Sequence, residues 1–305
     1  MGGIKQKMNT AKKYTIDPAL SKYAINMPFS APILRAARPA MRAMYAATAI
    51  DRSVVHRNVT TNGLRIDIFE PRVSHEKPPC ILYLHGGGFG YMAAPYHKRA
   101  AADYAIGAEC RVICPDYRLL PRHPYPAARD DTVAALRWIK ETYPSAPVGI
   151  GGDSAGAALA ATAALTAEAF DLCFLMLIYP VCDDSCSTPS MAAFDDTPLW
   201  NSKNNIVMWQ MYLCGRQGDP ETAQAVPCRC KILSDPPPTY IELCEFDCLH
   251  DEGVAFAERL KKHGGTVEIN DTRGTFHGYD IARGAEITQI CMARRIDFIK
   301  RCFIN

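Results

Sequence analysis

A serine between two glycines is the part of this 305-residue chain that most clearly carries chemistry. The segment Gly152-Asp153-Ser154-Ala155-Gly156 follows a short apolar run at 147–151 and precedes a run of helix formers at 157–165. Gly-x-Ser-x-Gly at a strand-to-helix junction is typical of a nucleophile elbow, a sharp turn that lifts the serine hydroxyl above a sheet. A plain glycine-rich turn with a capping serine is the alternative, and this motif alone does not separate the two.

A second glycine-rich segment, His85-Gly86-Gly87-Gly88-Phe89-Gly90, follows the apolar run 81–84, which predicts a buried strand. Consecutive glycines expose backbone amides. In acyl-transfer enzymes such a loop supplies one half of the oxyanion hole, and the amide after the nucleophile, here that of Ala155, supplies the other. Phosphate-binding loops are excluded, because neither Gly-x-Gly-x-x-Gly opening a helix nor Gly-Lys-Ser/Thr is present. The two motifs in this order favour a hydrolase.

A serine nucleophile needs a base, and three histidines follow Ser154 in the chain. His250 falls at the start of a predicted helix, and His263 falls at the end of that helix, where a cation suits the dipole. His277 differs from both because it lies in a loop after the predicted strand 266–269. A loop at a strand end lets an imidazole reach over the sheet edge, so we predict that His277 is the base.

The base needs a carboxylate to orient it, and in this class of sheet the acid precedes the histidine in the chain. The predicted strand 239–244 leads to Glu245 and Asp247. Asp247 lies at the carboxyl end of the strand, before the next helix, where its carboxylate can accept the Nδ1–H of His277. Glu245 is the rival, and Asp247 is the favoured acid.

Together these motifs resemble the hormone-sensitive-lipase-like branch of the α/β-hydrolase esterases. The resemblance runs from about residue 56 to the C terminus and rests on the segments 85–89, 116–119, 124–128, 152–156, 247–253 and 277–278. It implies that the amides of Gly87, Gly88 and Ala155 bind the oxyanion, and that His85 and Gly86 brace the loop rather than move protons. It implies no cofactor and no metal.

Two positions depart from the pattern of that family. Arg122 stands where the family usually has an acidic residue, and Cys248 stands after the catalytic acid where the family usually has proline. Neither is a triad position. We therefore expect the departures to affect local stability and fine substrate preference, and not the reaction.

The alternation of predicted strands and helices from residue 64 onward favours an α/β-hydrolase fold, with a mostly parallel central sheet and helices on both faces. Composition agrees with one catalytic domain over 51–305, since 48% of the residues are hydrophobic. The net charge of +2 gives no nucleic-acid footprint. The longest apolar run, 172–180, is too short to span a bilayer and predicts a buried central strand.

Two segments fall outside this alternation, residues 1–50 and an insertion at about 183–237. The insertion contains a predicted helix at 206–213. In the family that the chain resembles, segments at these two places join as a helical cap over the active site. A cap rich in Met, Trp and Phe gives an adaptable apolar wall for an acyl chain and limits water at the serine.

The N-terminal fifty residues carry eight Lys or Arg against a single acid, Asp17. Docking to anionic lipid would explain that asymmetry, but the basic residues are spread out, so a solvated face is the favoured interpretation. The first residues lack the apolar stretch of a signal peptide. The thirteen cysteines lack zinc-site spacing, and their odd number does not suit a disulfide framework. We expect reduced cysteines and a cytoplasmic protein.

The sequence therefore predicts a serine carboxylesterase that hydrolyses short-chain acyl esters through Ser154, His277 and Asp247. Its partner is a small-molecule ester, and the chain is a monomer or a homodimer. An amidase or arylformamidase with the same triad is the alternative within enzymes. A non-catalytic, hydrolase-like binding protein is the alternative from another class, and it is disfavoured because all three triad residues are present.

Overall fold

The computed structural model describes residues 13–73, 77–165, 170–232 and 235–304, which are built around one eight-stranded sheet. The strands are β1 (Val54–Thr61), β2 (Leu64–Pro71), β3 (Cys80–Leu84), β4 (Arg111–Pro115), β5 (Val148–Asp153), β6 (Leu175–Ile178), β7 (Thr239–Phe246) and β8 (Val267–Phe276). Their order across the sheet is β1-β2-β4-β3-β5-β6-β7-β8. The first two pairs, β1 with β2 and β2 with β4, are antiparallel, and the others are parallel.

The predicted mostly parallel α/β sheet is confirmed. The predicted alternation began with β2 and did not include β1, whose burial pattern is mainly that of an edge strand with polar residues facing water. The apolar run 172–180 contains β6, which is fully buried and shorter than the run.

Eight α-helices occur in the described residues. They are α1 (Ala31–Ala47), α2 (Pro95–Gly107), α3 (Ala127–Thr142), α4 (Ala155–Leu165), α5 (Pro189–Ala193), α6 (Ser202–Tyr212), α7 (His250–Lys262) and α8 (Glu286–Ile304). Short 3₁₀ helices lie at Pro18–Tyr23, Pro220–Ala225 and Tyr279–Ile281.

Helices cover both faces of the sheet, because successive strand residues point to opposite sides. In β3, Leu82 and Leu84 join a core shared with α3, α4 and α7, whereas Ile81 and Tyr83 join a second core shared with α2 and α8. Every residue of α4 is buried. Its small alanine side chains let this helix pack closely against the sheet below it.

The two segments outside the alternation contact each other. In the N-terminal segment the structure describes the residues from 13 onward, so Lys5, Lys7 and Lys12 lie outside it. The backbone N–H of Leu199 donates to Ile25 O over 2.8 Å, and the side-chain amide of Asn204 donates to Met27 O over 2.8 Å. The predicted helix at 206–213 is present as α6. No helix among the described residues has the length and apolarity needed to cross a membrane.

Candidate active site

Ser154 lies in the turn between β5 and α4, at the carboxyl edge of the sheet. Its φ is +54°, a left-handed conformation that side-chain-bearing residues rarely adopt. The turn needs glycine nearby, because a Cβ added to Gly156 would lie 2.0 Å from Leu84 O at the end of β3. The elbow therefore holds Ser154 close to the neighbouring strand, where the residue is 4% exposed.

Three predicted side chains meet above the sheet. Nε2 of His277 lies 2.8 Å from Oγ of Ser154, and Nδ1 of His277 lies 2.7 Å from Oδ2 of Asp247. The register of the parallel strands explains the second contact: Phe246 of β7 pairs with Phe276 of β8, and Asp247 and His277 follow directly. Both strands run further than the sequence predicted, to 246 and 276, so each residue leaves its strand at the sheet edge.

The carboxylate of Asp247 is fixed at both oxygens. Oδ1 accepts the backbone N–H of Leu249 over 3.0 Å, which leaves Oδ2 for His277. The rival acid, Glu245, points elsewhere: its Oε2 accepts the N–H of Gly274 over 2.7 Å. The structure thus brings Asp247, and not Glu245, to the imidazole.

The two other downstream histidines lie away from the serine. Nδ1 of His250 is 3.0 Å from Asp251 Oδ1, at the start of α7. His263 is exposed, and its Nδ1 donates to Arg259 O over 2.8 Å at the end of the same helix. Both positions agree with the helix start and helix end expected from the sequence.

A buried ionic network that was not predicted from the sequence lies next to the imidazole of His277. The ring of Tyr179 meets that of His277 edge-on at a centroid distance of 4.7 Å, and its hydroxyl donates to Asp280 Oδ1 over 2.7 Å. Asp280 in turn pairs with Arg295, which is 1% exposed and also pairs with Glu242. The network fixes Tyr179, and through it one face of the imidazole.

Two of the predicted oxyanion donors, Gly87 and Gly88, line the same cavity as Ser154, and the third, Ala155, follows Ser154 directly in the chain. Gly87 and Gly88 have φ values of +115° and +61°, so the loop after β3 turns in a way that side chains disfavour. A Cβ on Gly88 would lie 2.7 Å from the ring of Trp200, so the loop is also packed too closely for a side chain. Ala155 is buried and opens α4, where backbone N–H groups have no intrahelical partner.

His85, predicted to brace this loop, is buried and held by neighbours. Its Nδ1–H donates to Gly86 O over 2.7 Å, and the Tyr117 hydroxyl donates to His85 O over 2.6 Å. Burial, with the neighbouring His97, lowers the pKa of His85 to about 4. The imidazole is therefore neutral near pH 7, which suits a bracing residue and not a proton carrier.

Asp153, the variable position of the elbow motif, is a second unforeseen anchor. Its carboxylate accepts the Tyr83 hydroxyl and His97 Nε2–H, each over 3.0 Å. Nδ1 of His97 accepts the N–H of Ala94 over 2.8 Å, which fixes the tautomer. Burial raises the pKa of the Asp153 carboxyl, but its electrostatic interaction and hydrogen bond with His97 outweigh burial, so the pKa is lowered. The carboxylate lies against Gly86, whose added Cβ would be 2.3 Å from Oδ2.

A cavity of about 140 Å³ opens onto Ser154 and His277, and we call it the ester cavity. Its walls are largely apolar and include residues from both segments outside the alternation. These wall residues are Met27, Met41, Tyr91, Met92, Tyr179, Leu199, Trp200 and Ile281. A mostly apolar pocket with a few convergent polar groups is the usual form of a small-molecule site.

In the part of the chain that the structure describes, no three His, Cys, Asp or Glu side chains are arranged to hold a metal ion. All thirteen cysteines are free thiols. Cys248, one of the two departures from the family pattern, is fully buried beside Asp247, and burial raises the pKa of its thiol. It acts there as a small apolar residue.

Comparison with known proteins agrees with this geometry. A family model described as the alpha/beta hydrolase fold matches residues 81–281. Esterase LipI of Mycobacterium tuberculosis is 33% identical, with 89% of this chain and 90% of LipI covered. Carboxylesterase NlhH of Mycobacterium tuberculosis is 30% identical, with 88% and 90% covered. A solved structure described as bacterial heroin esterase is 30% identical with a TM-score of 0.85, covering 95% of this chain and 98% of the other. The predicted resemblance is confirmed: this chain belongs to the α/β-hydrolase fold family, in its hormone-sensitive-lipase-like branch.

Proposed function

We propose that this protein is a serine carboxylesterase that hydrolyses short-chain acyl esters. The observation that carries the proposal is the continuous hydrogen-bond chain from Ser154 through His277 to Asp247, at the floor of an apolar cavity. Relatives that span most of the chain, LipI and NlhH, are named as an esterase and a carboxylesterase, which supports an ester as the substrate.

The reaction follows from the positions of these atoms. Nε2 of His277 takes the proton of the Ser154 hydroxyl as Oγ attacks the ester carbonyl, and Asp247 stabilises the imidazolium. The tetrahedral intermediate collapses, the bond to the alcohol oxygen breaks, and Nε2 gives its proton to the leaving alcohol. Water then repeats the sequence on the acyl-enzyme, which releases the acid and restores the serine.

The negative charge that develops on the carbonyl oxygen needs hydrogen-bond donors. The backbone N–H groups of Gly87, Gly88 and Ala155 take this role in the proposal, because the loop and the first turn of α4 flank the serine. Their bonds strengthen only when the carbonyl oxygen becomes an oxyanion, so they accelerate the chemical step. His85 and Gly86 keep the loop in place, and no cofactor takes part.

Ser154→Ala tests the assignment directly. We expect p-nitrophenyl acetate turnover to fall by roughly 10⁶-fold, as when the nucleophile of a serine hydrolase is removed. Ser185→Ala is the matched control, since Ser185 is exposed and its hydrogen bonds join it to Asp183 and Ser187, away from the triad. Wild-type turnover in Ser154→Ala would refute the proposal. Matched anilides in the same assay separate an esterase from an amidase.

We propose further that residues 1–50 and about 183–237 form a cap on the catalytic domain 51–305 and set the acyl-chain length. The small ester cavity and its wall residues from both segments support short chains. Trp200→Ala should raise kcat/KM for p-nitrophenyl hexanoate relative to acetate, because it removes a ring from the wall. Trp138→Ala, which alters a ring outside the cavity, should leave the ratio unchanged. The same ratio of hexanoate to acetate kcat/KM in the wild-type protein, Trp200→Ala and Trp138→Ala would contradict the cap proposal.

We also propose a cytoplasmic location, because thirteen free thiols suit a reducing compartment. Fractionation of cells with an antibody tests it, and recovery in the medium or in membranes would overturn it. The assembly is a monomer or a homodimer in this proposal. Light scattering of the purified protein distinguishes the two, and a larger particle would contradict both.

A further inference from the structure

Two cysteines, Cys182 and Cys228, lie at the two ends of the segment that carries part of the ester-cavity wall. Cys182 follows β6 in the chain, and the segment between the two cysteines contains α5, α6 and the wall residues Leu199 and Trp200. The backbone N–H of Cys228 donates to Cys182 O over 2.9 Å. The two ends of the segment are therefore held side by side.

The backbone around each cysteine is fixed by side chains of α7. Oε1 of Glu252 accepts the N–H of Cys182 over 2.6 Å. The guanidinium of Arg259 donates to the backbone carbonyls on either side of Cys228, over 2.7 Å to that of residue 227 and over 2.6 Å to that of residue 230. Because Glu252 and Arg259 belong to the same helix, that helix sets the separation of the two cysteines.

The side chains of the pair also interact with each other. Burial, and after it a hydrogen bond with the Cys228 thiol, raises the pKa of the Cys182 thiol well above its ordinary value. Residues joined by backbone hydrogen bonds between antiparallel strands have Cα atoms about 5.5 Å apart, within the ~4.4–6.8 Å that disulfides span. A backbone hydrogen bond of this kind therefore brings two cysteines within reach of a disulfide.

We propose that Cys182 and Cys228 are a redox pair, which hydrogen peroxide converts into a disulfide that closes residues 183–227 into a covalent loop. Val181, next to Cys182, donates its N–H to Ser154 O over 3.3 Å, so the bond anchors the segment close to the elbow. In a reducing compartment the pair stays as two thiols, and an oxidising episode links them.

The bond forms in two steps. The sulfur of Cys228, which is half-buried, attacks one oxygen of the peroxide, the O–O bond breaks, and a sulfenic acid and water form. The sulfur of Cys182, which is fully buried, then attacks the Cys228 sulfur, and the hydroxyl leaves as water with the Cys182 proton. Each sulfur gives up one electron, the peroxide takes up two, and two waters are released. Burial and the raised pKa of its thiol make Cys182 the second of the pair to react.

Mass spectrometry of the peroxide-treated protein, digested without reduction, tests the bond. We expect the peptide that contains Cys182 to be linked to the peptide that contains Cys228, and dithiothreitol to separate them. The midpoint of thermal unfolding should rise by roughly 5 °C on oxidation, because the bond closes a long loop, and should return on reduction. The inference does not require the proposed esterase reaction, since the two measurements are a covalent bond and a melting temperature.

Three variants locate the bond. Cys228→Ala, verified as folded by circular dichroism, should lose both the linked peptides and the rise in melting temperature. Cys186→Ala is the matched control and should keep both, since Cys186 is close to Cys182 in the chain but its Sγ accepts from Asn205 Nδ2 over 3.7 Å. Cys214→Ser removes an exposed thiol of the same segment and should also keep both.

Four results would overturn the proposal. They are the absence of linked peptides in the oxidised wild-type protein, a rise in melting temperature that persists in Cys228→Ala, loss of the link in Cys186→Ala, and a link that forms without any rise in melting temperature. The first of these is read from the wild-type chain, so it does not depend on the folding of any variant.

Discussion

Asparagine in place of Asp247 keeps the shape of the side chain and removes its charge. The hydrogen bonds fix which way the new amide points. Oδ1 accepts the N–H of Leu249 over 3.0 Å, which only an oxygen can do, so the amide nitrogen takes the place of Oδ2, 2.7 Å from His277 Nδ1. That nitrogen donates, and Nδ1 must then accept. The ring proton moves to Nε2, which donates to Ser154 and can no longer take its proton.

The expected size of the effect follows from this tautomer. On the serine-protease template, the same exchange lowers kcat by about 10⁴-fold, or ~5.4 kcal/mol at 1.36 kcal/mol per factor of ten. KM should change little, because Asp247 is 1% exposed and does not line the ester cavity. We therefore expect the loss of activity to appear as a lower kcat.

Initial rates of p-nitrophenyl acetate hydrolysis measure both parameters, and circular dichroism verifies that the variant is folded. Glu245→Gln is the matched control, since Glu245 bonds to Gly274 and not to His277. It should change kcat by no more than about threefold, as for a substitution outside the site. The reasoning is refuted if Asp247→Asn keeps more than about a tenth of kcat, or if Glu245→Gln loses as much.

Two further predictions concern the supports of the site. Arg295→Met leaves Glu242 and Asp280 buried without their cation, so the free energy of unfolding measured in urea should fall by about 3–5 kcal/mol. The control Arg301→Met removes an exposed arginine and should cost ~1 kcal/mol or less. Equal losses in the two variants would contradict a buried network. Because the pKa of His85 is about 4 when folded and near 6.5 when unfolded, protonation favours the unfolded chain. Stability should therefore drop as pH falls from 6.5 to 4, by up to ~1.4 kcal/mol per pH unit, and His85→Gln should lose that part of the slope. If the free energy of unfolding in urea depended on pH in the same way in the wild type and in His85→Gln, His85 would not be the group responsible.

The strands and loops that position the catalytic residues could be predicted from the sequence, because a recognisable motif lies at the end of each. Glycines punctuate the turn at Ser154 and the loop after β3, and apolar runs of strand length precede Asp247 and the elbow. The order of the motifs along a parallel sheet then places their ends at one edge. Propensity and spacing suffice for features of this kind.

The supporting contacts were missed because no recognisable motif marks both partners, as the elbow, the glycine-rich loop and the strand ends mark the residues of the triad. His97 reaches Asp153 across 56 positions, and Arg295 reaches Glu242 across 53. A signal did exist for Arg295, since it shares the spacing of the core residues Cys291 and Phe298 on one face of α8. A charge at such a core position points to a buried partner, but its identity follows only from the folded sheet.

The close approach of Gly156 to Leu84 shows that the glycines and the serine of the elbow motif are required for different reasons. A side chain at Gly156 would collide with the backbone of β3 whether or not Ser154 reacts, and Gly152 is confined in the same way by Leu84 O at 2.5 Å from its added Cβ. A descendant of this chain that lost its nucleophile would still need both glycines in order to fold. The glycines thus report packing, whereas Ser154, His277 and Asp247 together report whether the molecule can still act as an enzyme.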